Sequence, residues 1–360
     1  MLVYLDSGDL ANLERLSAQE PAPFERFLAE WDARGCVLAL SLHHAQEIAQ
    51  LADENSRVRR LSLLERFPGA RYEAGGSHKV VTFEAMIQVL AKASHSVPDY
   101  AGAVGPVLFQ ETGLEGLKVT VLEYGNLLRA MESAQGIAAA ARNSTRGTRL
   151  PHSYRKQTRE RMNLPAARTA MEQALSTVGL TEQVRGMMRA TFDALSTSME
   201  HSANLRSAFE KAYCVEGYDC IRTVDDDDLP RVATFFSVAK DAIRELAPAL
   251  GLPIDRCLEL VPSLDPYDCP GTRIEMSVSR AQDASGQVAE VADEPDRAHV
   301  TFLPYVDVLF ADRRTVGFFQ QEAQNGKRPE ALKHHAAKLH KSGPATTIIR
   351  SIDAIRRNAA

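Results

Sequence analysis

Four acidic residues lie next to apolar runs that are typical of buried strands. Asp6 closes the run MLVYL, and Asp312 closes VDVLFA. Glu47 follows the run CVLALS by a few residues, and Asp296 precedes VDVLFA. Carboxylates that gather closely repel one another and raise one another's pKa, so such a cluster is stable near neutral pH only when protons or cations balance it. Oxygen ligands alone favour Mg²⁺ or Mn²⁺ over zinc.

The elements that would bring these acids together belong to an α/β domain with a central parallel sheet. Strand-like and helix-like segments alternate over residues 1–91 and again over 290–360, which is typical of such a sheet. Strands are predicted at MLVYLD, CVLALS, ARYE, VDVLFA and TTIIRS. Because ligands bind beyond the carboxyl ends of parallel strands, we expect Asp6 and Asp312 to meet if their strands are neighbours.

Helices are predicted to carry the other two acids. Glu47 lies one to two turns into a single long helix over LHHAQEIAQLADENSRVRRLSLLERF, and Asp296 lies at the start of a helix that begins at PDRAHVTF. Residues 92–289 have mainly helical periodicity, as in RVATFFSVAKDAIRELAPAL. The sequence therefore predicts a domain in two parts, 1–91 and 290–360, separated by a helical insertion at 92–289.

Composition excludes several classes of protein. The 360-residue chain is 44% hydrophobic, but it has no uncharged apolar run of the roughly 20 residues that span a bilayer, and its start does not resemble a signal peptide. We expect a cytoplasmic protein with no membrane partner. The five cysteines contain no CxxC pair, so neither a disulfide framework nor a zinc knuckle is predicted. A net charge of −5 does not indicate a bulk polyanion binder, although a local basic segment can still be one.

Three segments together resemble the PIN-domain family of metal-dependent nucleases: VYLDSGDL, SLHHAQEIAQ and DRAHVTFLPYVDVLFADRRT. The resemblance implies a PIN-like three-layer fold around a parallel sheet, with Asp6, Glu47, Asp296 and Asp312 as catalytic, metal-binding acids. It adds Asp307 as a metal-binding or structural group. Many family members have Asn two residues after the first aspartate, where this chain has Gly8. The resemblance does not extend to the insertion.

The resemblance implies a ribonuclease that uses Mg²⁺ or Mn²⁺ to activate water against a phosphodiester. RNA would be held by residues 142–161, RNSTRGTRLPHSYRKQTRER, which contain seven Arg or Lys and one acid. Arginine makes bidentate phosphate contacts and an aromatic ring stacks on bases, a combination that suits single-stranded RNA. The alternative is a solvated surface loop. The predicted contacts are Arg146, Arg149, Tyr154, Arg155, Lys156 and Arg159.

Other functions stay open at this stage. A PIN-like module that has lost its chemistry would bind RNA or a protein partner, and a toxin would have a cognate inhibitor protein. The insertion could serve as a homodimer surface. A phosphatase of the haloacid-dehalogenase type needs a second Asp where this chain has Gly8. His43, His44 and Glu47 have the spacing of a His–Glu metal pair but lack the HExxH pattern of zinc sites. Glu84, in VTFEAMIQVL, could be a fifth acid at the site, but a single glutamate on a helix is more often simply exposed.

Overall fold

The computed structural model describes residues 1–51, 53–109, 113–133, 172, 218–222, 224, 228–284, 298–326 and 329–359. Its centre is a sheet of five parallel strands in the order β3-β2-β1-β4-β5. The strands are β1 (Leu2–Tyr4), β2 (Val37–Ser41), β3 (Arg71–Glu73), β4 (Val308–Ala311) and β5 (Leu339–Lys341). The prediction of an α/β fold with a central parallel sheet is confirmed.

Helices cover both faces of this sheet. They are α1 (Ser7–Gln19), α2 (Pro21–Ala33), α3 (Leu42–Ala49), α4 (Glu54–Leu64), α5 (Gly76–Ser94), α6 (Tyr100–Leu108), α7 (Leu114–Ser133), α8 (Leu229–Ala249), α9 (Ile254–Leu260), α10 (Pro270–Ala284), α11 (Arg313–Asn325), α12 (Pro329–Ala336) and α13 (Ala345–Ala359). Short 3-10 segments span Asp219–Arg222, Val261–Ser263, Pro266–Asp268 and Val300–Tyr305.

Alternate residues of the strands enter two separate cores, which is why the strand sequences are apolar almost throughout. Val3 of β1 and Phe310 of β4 face one core, which contains side chains of α1, α2, α3, α4, α7 and α13. Tyr4 and Leu309 face the other, which contains side chains of α5, α6, α10, α11, α12 and the Val300–Tyr305 segment. The fold is therefore a sheet between two helical layers.

Helices from the predicted insertion are part of these layers. Leu117 and Val121 of α7 belong to the first core, and Ile274 and Val278 of α10 belong to the second. A third core joins α5 to α8, α9 and α10. The described part of 92–289 thus packs directly against the sheet domain. In the part of the chain that the structure describes, no helix is long and apolar enough to cross a membrane.

Several predicted elements differ from the structure. The long helix after β2 is two helices, α3 and α4, and α1 was not predicted. TTIIRS, predicted as a strand, lies in helix α13, and the fifth strand is Leu339–Lys341, where no strand was predicted. The described end of the helix predicted from PDRAHVTF continues into the 3-10 segment Val300–Tyr305.

Candidate active site

The topology creates a crevice at the carboxyl ends of β1 and β4. From β1 the chain continues to β2 and β3 on one side, whereas β4 and β5 lie on the other. Such a reversal of strand order is where open α/β sheets bind ligands. Asp6 lies two residues beyond β1, and Asp312 directly follows β4. Since β1 and β4 are paired neighbours, the expectation that these two acids meet at one edge is confirmed.

Asp6 is the most buried of the predicted acids that the structure describes. Its residue is 7% exposed. Burial raises the pKa of its carboxyl group, the nearby imidazole of His299 opposes this, and the carboxylates of Glu47 and Asp312 raise the pKa further. Asp6 occupies the N-cap position of α1, yet its carboxylate does not cap that helix. The three acids therefore share one electrostatic environment, in which burial and repulsion make Asp6 harder to ionise than an exposed aspartate.

Glu47 is held by two side chains from other parts of the fold. The hydroxyl of Ser7, at the start of α1, donates a hydrogen bond to Glu47 Oε2. His299 Nε2 lies 3.5 Å from the same oxygen. Burial alone would raise the pKa of Glu47, but the hydrogen bond and positive charge of His299 outweigh it and lower the pKa to about 2. Glu47 is therefore ionised at neutral pH.

Asp312 is fixed by the helix that follows it. Its carboxylate caps α11 by accepting hydrogen bonds from the backbone N–H of Arg314 at 2.6 Å and of Thr315 at 3.2 Å. An acid at this position also interacts favourably with the positive end of the helix dipole. The cap fixes the side chain at the carboxyl end of β4, where the residue remains partly exposed.

Asp307 lies at the other end of β4, so the structure does not bring it together with Asp6, Glu47 and Asp312. Its carboxylate accepts a hydrogen bond of 2.7 Å from Leu2 N, and its own N–H donates to Leu2 O at 2.9 Å. Asp312 lies five positions further along this extended chain, at a distance of about 16 Å. Asp307 therefore extends the pairing of β1 with β4 at their amino ends. The remaining predicted acid, Asp296, lies outside the described residues.

A buried network beneath the acids was not predicted. The Tyr4 hydroxyl hydrogen-bonds with Ser41 Oγ at 2.6 Å and with His299 Nδ1. His44 Nδ1 accepts from Ser41 N at 3.0 Å, which completes a capping box at the start of α3. His44 Nε2 then donates to Leu5 O at 2.8 Å, next to Asp6. The sequence signal was Ser41 at the end of an apolar strand, followed closely by His43 and His44.

The two histidines of α3 cannot serve as zinc ligands in this arrangement. The lone pair of His44 Nδ1 accepts from Ser41 N, and that of His43 Nε2 accepts from Ser77 N at 3.3 Å. Burial, together with the positive charge of His299, lowers the pKa of each to about 3, so both are neutral. The lone pair that zinc would need is already used on each ring.

The oxygen donors of the crevice have the chemistry that Mg²⁺ or Mn²⁺ prefers. Within the described ranges, however, no three His, Cys, Asp or Glu side chains form a group that could hold a metal ion as they stand. Asp6, Glu47 and Asp312 interact electrostatically without forming a closed ligand set. A cation would therefore have to draw these carboxylates together or recruit a further oxygen donor.

Two further predictions concern residues away from the crevice. The expectation that Glu84 is exposed was wrong, since it is fully buried and its carboxylate accepts from Gly271 N at 2.5 Å and Thr272 N at 3.1 Å. The predicted RNA contacts all lie outside the described residues. They are Arg146, Arg149, Tyr154, Arg155, Lys156 and Arg159.

No protein-family model, no curated protein and no solved structure matches this chain. The functional interpretation therefore rests on the chemistry of the crevice. That chemistry consists of three acids, one directly before α1, one in α3 and one directly before α11, beside a buried histidine and tyrosine. A fold alone would not define an activity.

Proposed function

We propose that this protein is a PIN-like, metal-dependent phosphodiesterase that hydrolyses RNA. Asp6, Glu47, Asp312 and Asp296 would hold Mg²⁺ or Mn²⁺ at the carboxyl edge of the sheet. The observation that carries the proposal is the meeting of Asp6, Glu47 and Asp312 at the crevice between β1 and β4, although they are far apart in sequence. A shared negative field in a buried site favours binding of a divalent cation.

Each acid would contribute in a different way. Glu47 is ionised near neutral pH because His299 lowers its pKa to about 2, so it supplies a permanent negative charge. Asp312 is aligned by its cap on α11. Asp6 is repelled by both, so a cation would relieve the unfavourable burial of its charge. When bound, the metal would lower the pKa of a water molecule and stabilise negative charge on the phosphate.

RNA is the proposed substrate because of the basic segment 142–161, which is rich in arginine and contains Tyr154. Arginine binds phosphate, and an aromatic ring stacks on unpaired bases, so single-stranded RNA suits the segment best. Contacts of this kind are sequence-tolerant and weaken with salt. Binding of RNA should therefore fall steeply between low and high salt.

The test compares Asp6→Asn with Asp307→Asn, two neutralised acids at opposite ends of the paired strands β1 and β4. Labelled single-stranded RNA is incubated with the parent in Mg²⁺, in Mn²⁺ and in EDTA. We expect cleavage only with metal, a loss on the order of 100-fold or more for Asp6→Asn, and parental rates for Asp307→Asn. Circular dichroism checks that each variant is folded. Folded Asp6→Asn protein that cleaves as fast as the parent would rule out the proposal.

A second candidate is a PIN-like module that binds RNA or a protein partner without chemistry. It is favoured by the finding that no ready-made metal group occurs among the described residues, and by the engagement of Glu47 with Ser7 and His299. This candidate predicts RNA binding that EDTA does not change and no turnover. Calorimetric titration with Mn²⁺ separates the two, since only the enzyme should bind the ion in a manner that depends on Asp6.

A further inference from the structure

A continuous chain of buried polar groups leads from the acid cluster into the sheet. Glu47 contacts His299 Nε2 at 3.5 Å, and His299 Nδ1 hydrogen-bonds with the Tyr4 hydroxyl. Tyr4 bonds Ser41 Oγ at 2.6 Å. The N–H of Ser41 donates to His44, which donates to the carbonyl of Leu5. The chain thus begins at one acid, Glu47, and ends on the residue before another, Asp6.

We propose that Tyr4 and His299 are positioning residues that set the distance between Glu47 and Asp6, with Tyr4 as the hub that joins the two sides. The proposal rests on the proposed function, because it assigns a role in the same site. It differs from a simple packing role in one respect: the hydroxyl of Tyr4, and not its ring, should determine where Glu47 lies.

The connections of Tyr4 support this role. Through Ser41 it reaches β2 and the start of α3, the helix that carries Glu47. Through His299 it reaches the start of the described segment, 298–307, that leads to β4. Its residue is fully buried, so its hydroxyl forms these bonds without competition from water. A single hydroxyl therefore links three of the elements that surround the crevice.

The imidazole of His299 is held from several sides. Its ring centroid lies 5.4 Å from that of Tyr4, 4.9 Å from that of His44 and 5.6 Å from that of His43. These edge and tilted contacts restrict the orientation of the ring. Glu47 is consequently approached by a histidine whose own position depends on Tyr4 and on the helix that bears Glu47. Such outer contacts typically change metal affinity or activity by about 10-fold to 100-fold.

The phenylalanine variant Tyr4→Phe isolates the hydroxyl. The ring should remain in place, because it stacks on Phe302 with centroids 5.4 Å apart and an interplanar angle of 17°. Tyr305→Phe is the matched control. Tyr305 is also buried in the second core, and its hydroxyl also bonds a buried carboxylate, but that carboxylate is Glu84, away from the crevice. Both variants lose one buried hydroxyl and keep an aromatic ring.

The experiment uses the 360-residue chain and two measurements. The first is the metal-free crystal structure of the parent and of both variants. In Tyr4→Phe we expect the Glu47 carboxylate to move by more than about 0.5 Å, the tolerance of an organised site, and to stay in place in Tyr305→Phe. The second is RNA cleavage in Mn²⁺. Tyr4→Phe should lower kcat by about tenfold and leave KM within about twofold, whereas Tyr305→Phe should change neither.

The outcomes separate this inference from the proposed function. If the parent does not cleave RNA, the proposed function fails, but the metal-free structures still decide whether Tyr4 positions Glu47. If the parent cleaves and Tyr4→Phe behaves like Tyr305→Phe, the positioning role is overturned while the nuclease stands. An unmoved Glu47 in the Tyr4→Phe structure overturns it in either case.

Discussion

Two buried carboxylates in this molecule have opposite surroundings. Glu84, on α5, is fully buried and faces donors only: Gly271 N, Thr272 N, Thr272 Oγ1 at 2.6 Å and the Tyr305 hydroxyl. Asp6, beyond β1, is almost as buried, but it faces the carboxylates of Glu47 and Asp312 as well as His299. The pKa of each is raised, first of all by burial.

The difference indicates what each acid is for. Glu84 joins α5 to the N-terminus of α10, and its hydrogen bonds offset the cost of removing a carboxylate from water. The site is complete as it stands. At Asp6 the nearest acids add repulsion to the cost of burial, which His299 only partly offsets, so the charged form is unfavourable unless a cation binds. Such a trade of stability for function is common at active sites.

The largest effect should come from exchanging a carboxylate for an amide at these two positions. Glu84→Gln places an NH₂ group among four donors, so we expect a loss of about 2–3 kcal/mol in the free energy of unfolding. Asp6→Asn removes a repelled charge, so we expect no loss and a gain of up to about 1 kcal/mol in metal-free buffer at pH 8. Urea denaturation followed by circular dichroism measures both.

Adding Mn²⁺ sharpens this prediction. Metal should stabilise the parent and Glu84→Gln by equal amounts and leave Asp6→Asn unchanged, because binding only to the folded state raises its stability. Equal destabilisation by Asp6→Asn and Glu84→Gln would show that Asp6 is a structural acid like Glu84, and the comparison would fail.

Asp9 is a third buried carboxylate: like Glu84 it accepts hydrogen bonds, and like Asp6 it has a nearby acid that raises its pKa. It should make the stability of the protein depend on pH. It is fully buried, and it accepts from Ser342 Oγ at 2.9 Å and Gly343 N at 2.8 Å. Burial raises its pKa to about 7, despite these bonds. Between its unfolded pKa near 4 and pH 7, the folded protein therefore binds more protons than the unfolded one. Stability should fall as pH rises through this window, by up to about 1.4 kcal/mol per pH unit.

Asp9→Asn tests the assignment. Asparagine keeps an acceptor for Gly343 N, and the Ser342 hydroxyl can accept from its NH₂ group. The variant should lose the descending part of the stability curve between about pH 4 and pH 7, while the parent retains it. Guanidinium denaturation at several pH values gives the slopes. Identical slopes for the two proteins would assign the pH dependence to another group.

Much of the sheet could be predicted from local pattern. MLVYLD, CVLALS, ARYE and VDVLFA each contain a strand, and two of them place an acid at the edge where ligands bind. The prediction of a strand at TTIIRS was wrong because it rested on a short β-branched run and did not consider the residues that follow it. Ile348, Ile349 and Ile352 fall on one face of a helix, where they enter the first core. The helical spacing of these apolar residues therefore predicts this element better than the β-branched content of the short run.

The network beneath the acids could not be predicted in the same way. Tyr4 and His299 are separated by 295 residues, and no spacing rule relates a strand residue to a residue that far along the chain. Glu84 was missed for a related reason. A glutamate is exposed on most helices, but α5 is covered by the sheet layer and by α8, so both sides of it are buried. In both cases, the Tyr4–His299 contact and the burial of Glu84, the outcome depends on tertiary contacts that local sequence does not show.

The smallest expected change in stability and Mn²⁺ affinity is for a substitution of Asp307. This substitution compares the amino end of β4 with its carboxyl end, where Asp312 lies. Its carboxylate accepts from Leu2 N, and asparagine keeps that acceptor while removing the charge. Asp307→Asn should therefore change the free energy of unfolding by less than about 1 kcal/mol, because only the charged character of one exposed hydrogen bond is lost. Mn²⁺ affinity, measured by calorimetry, should be unchanged. A weakened Mn²⁺ affinity in Asp307→Asn would mean that both ends of the strand contribute to metal binding, which the 16 Å or so between them does not allow for a single ion.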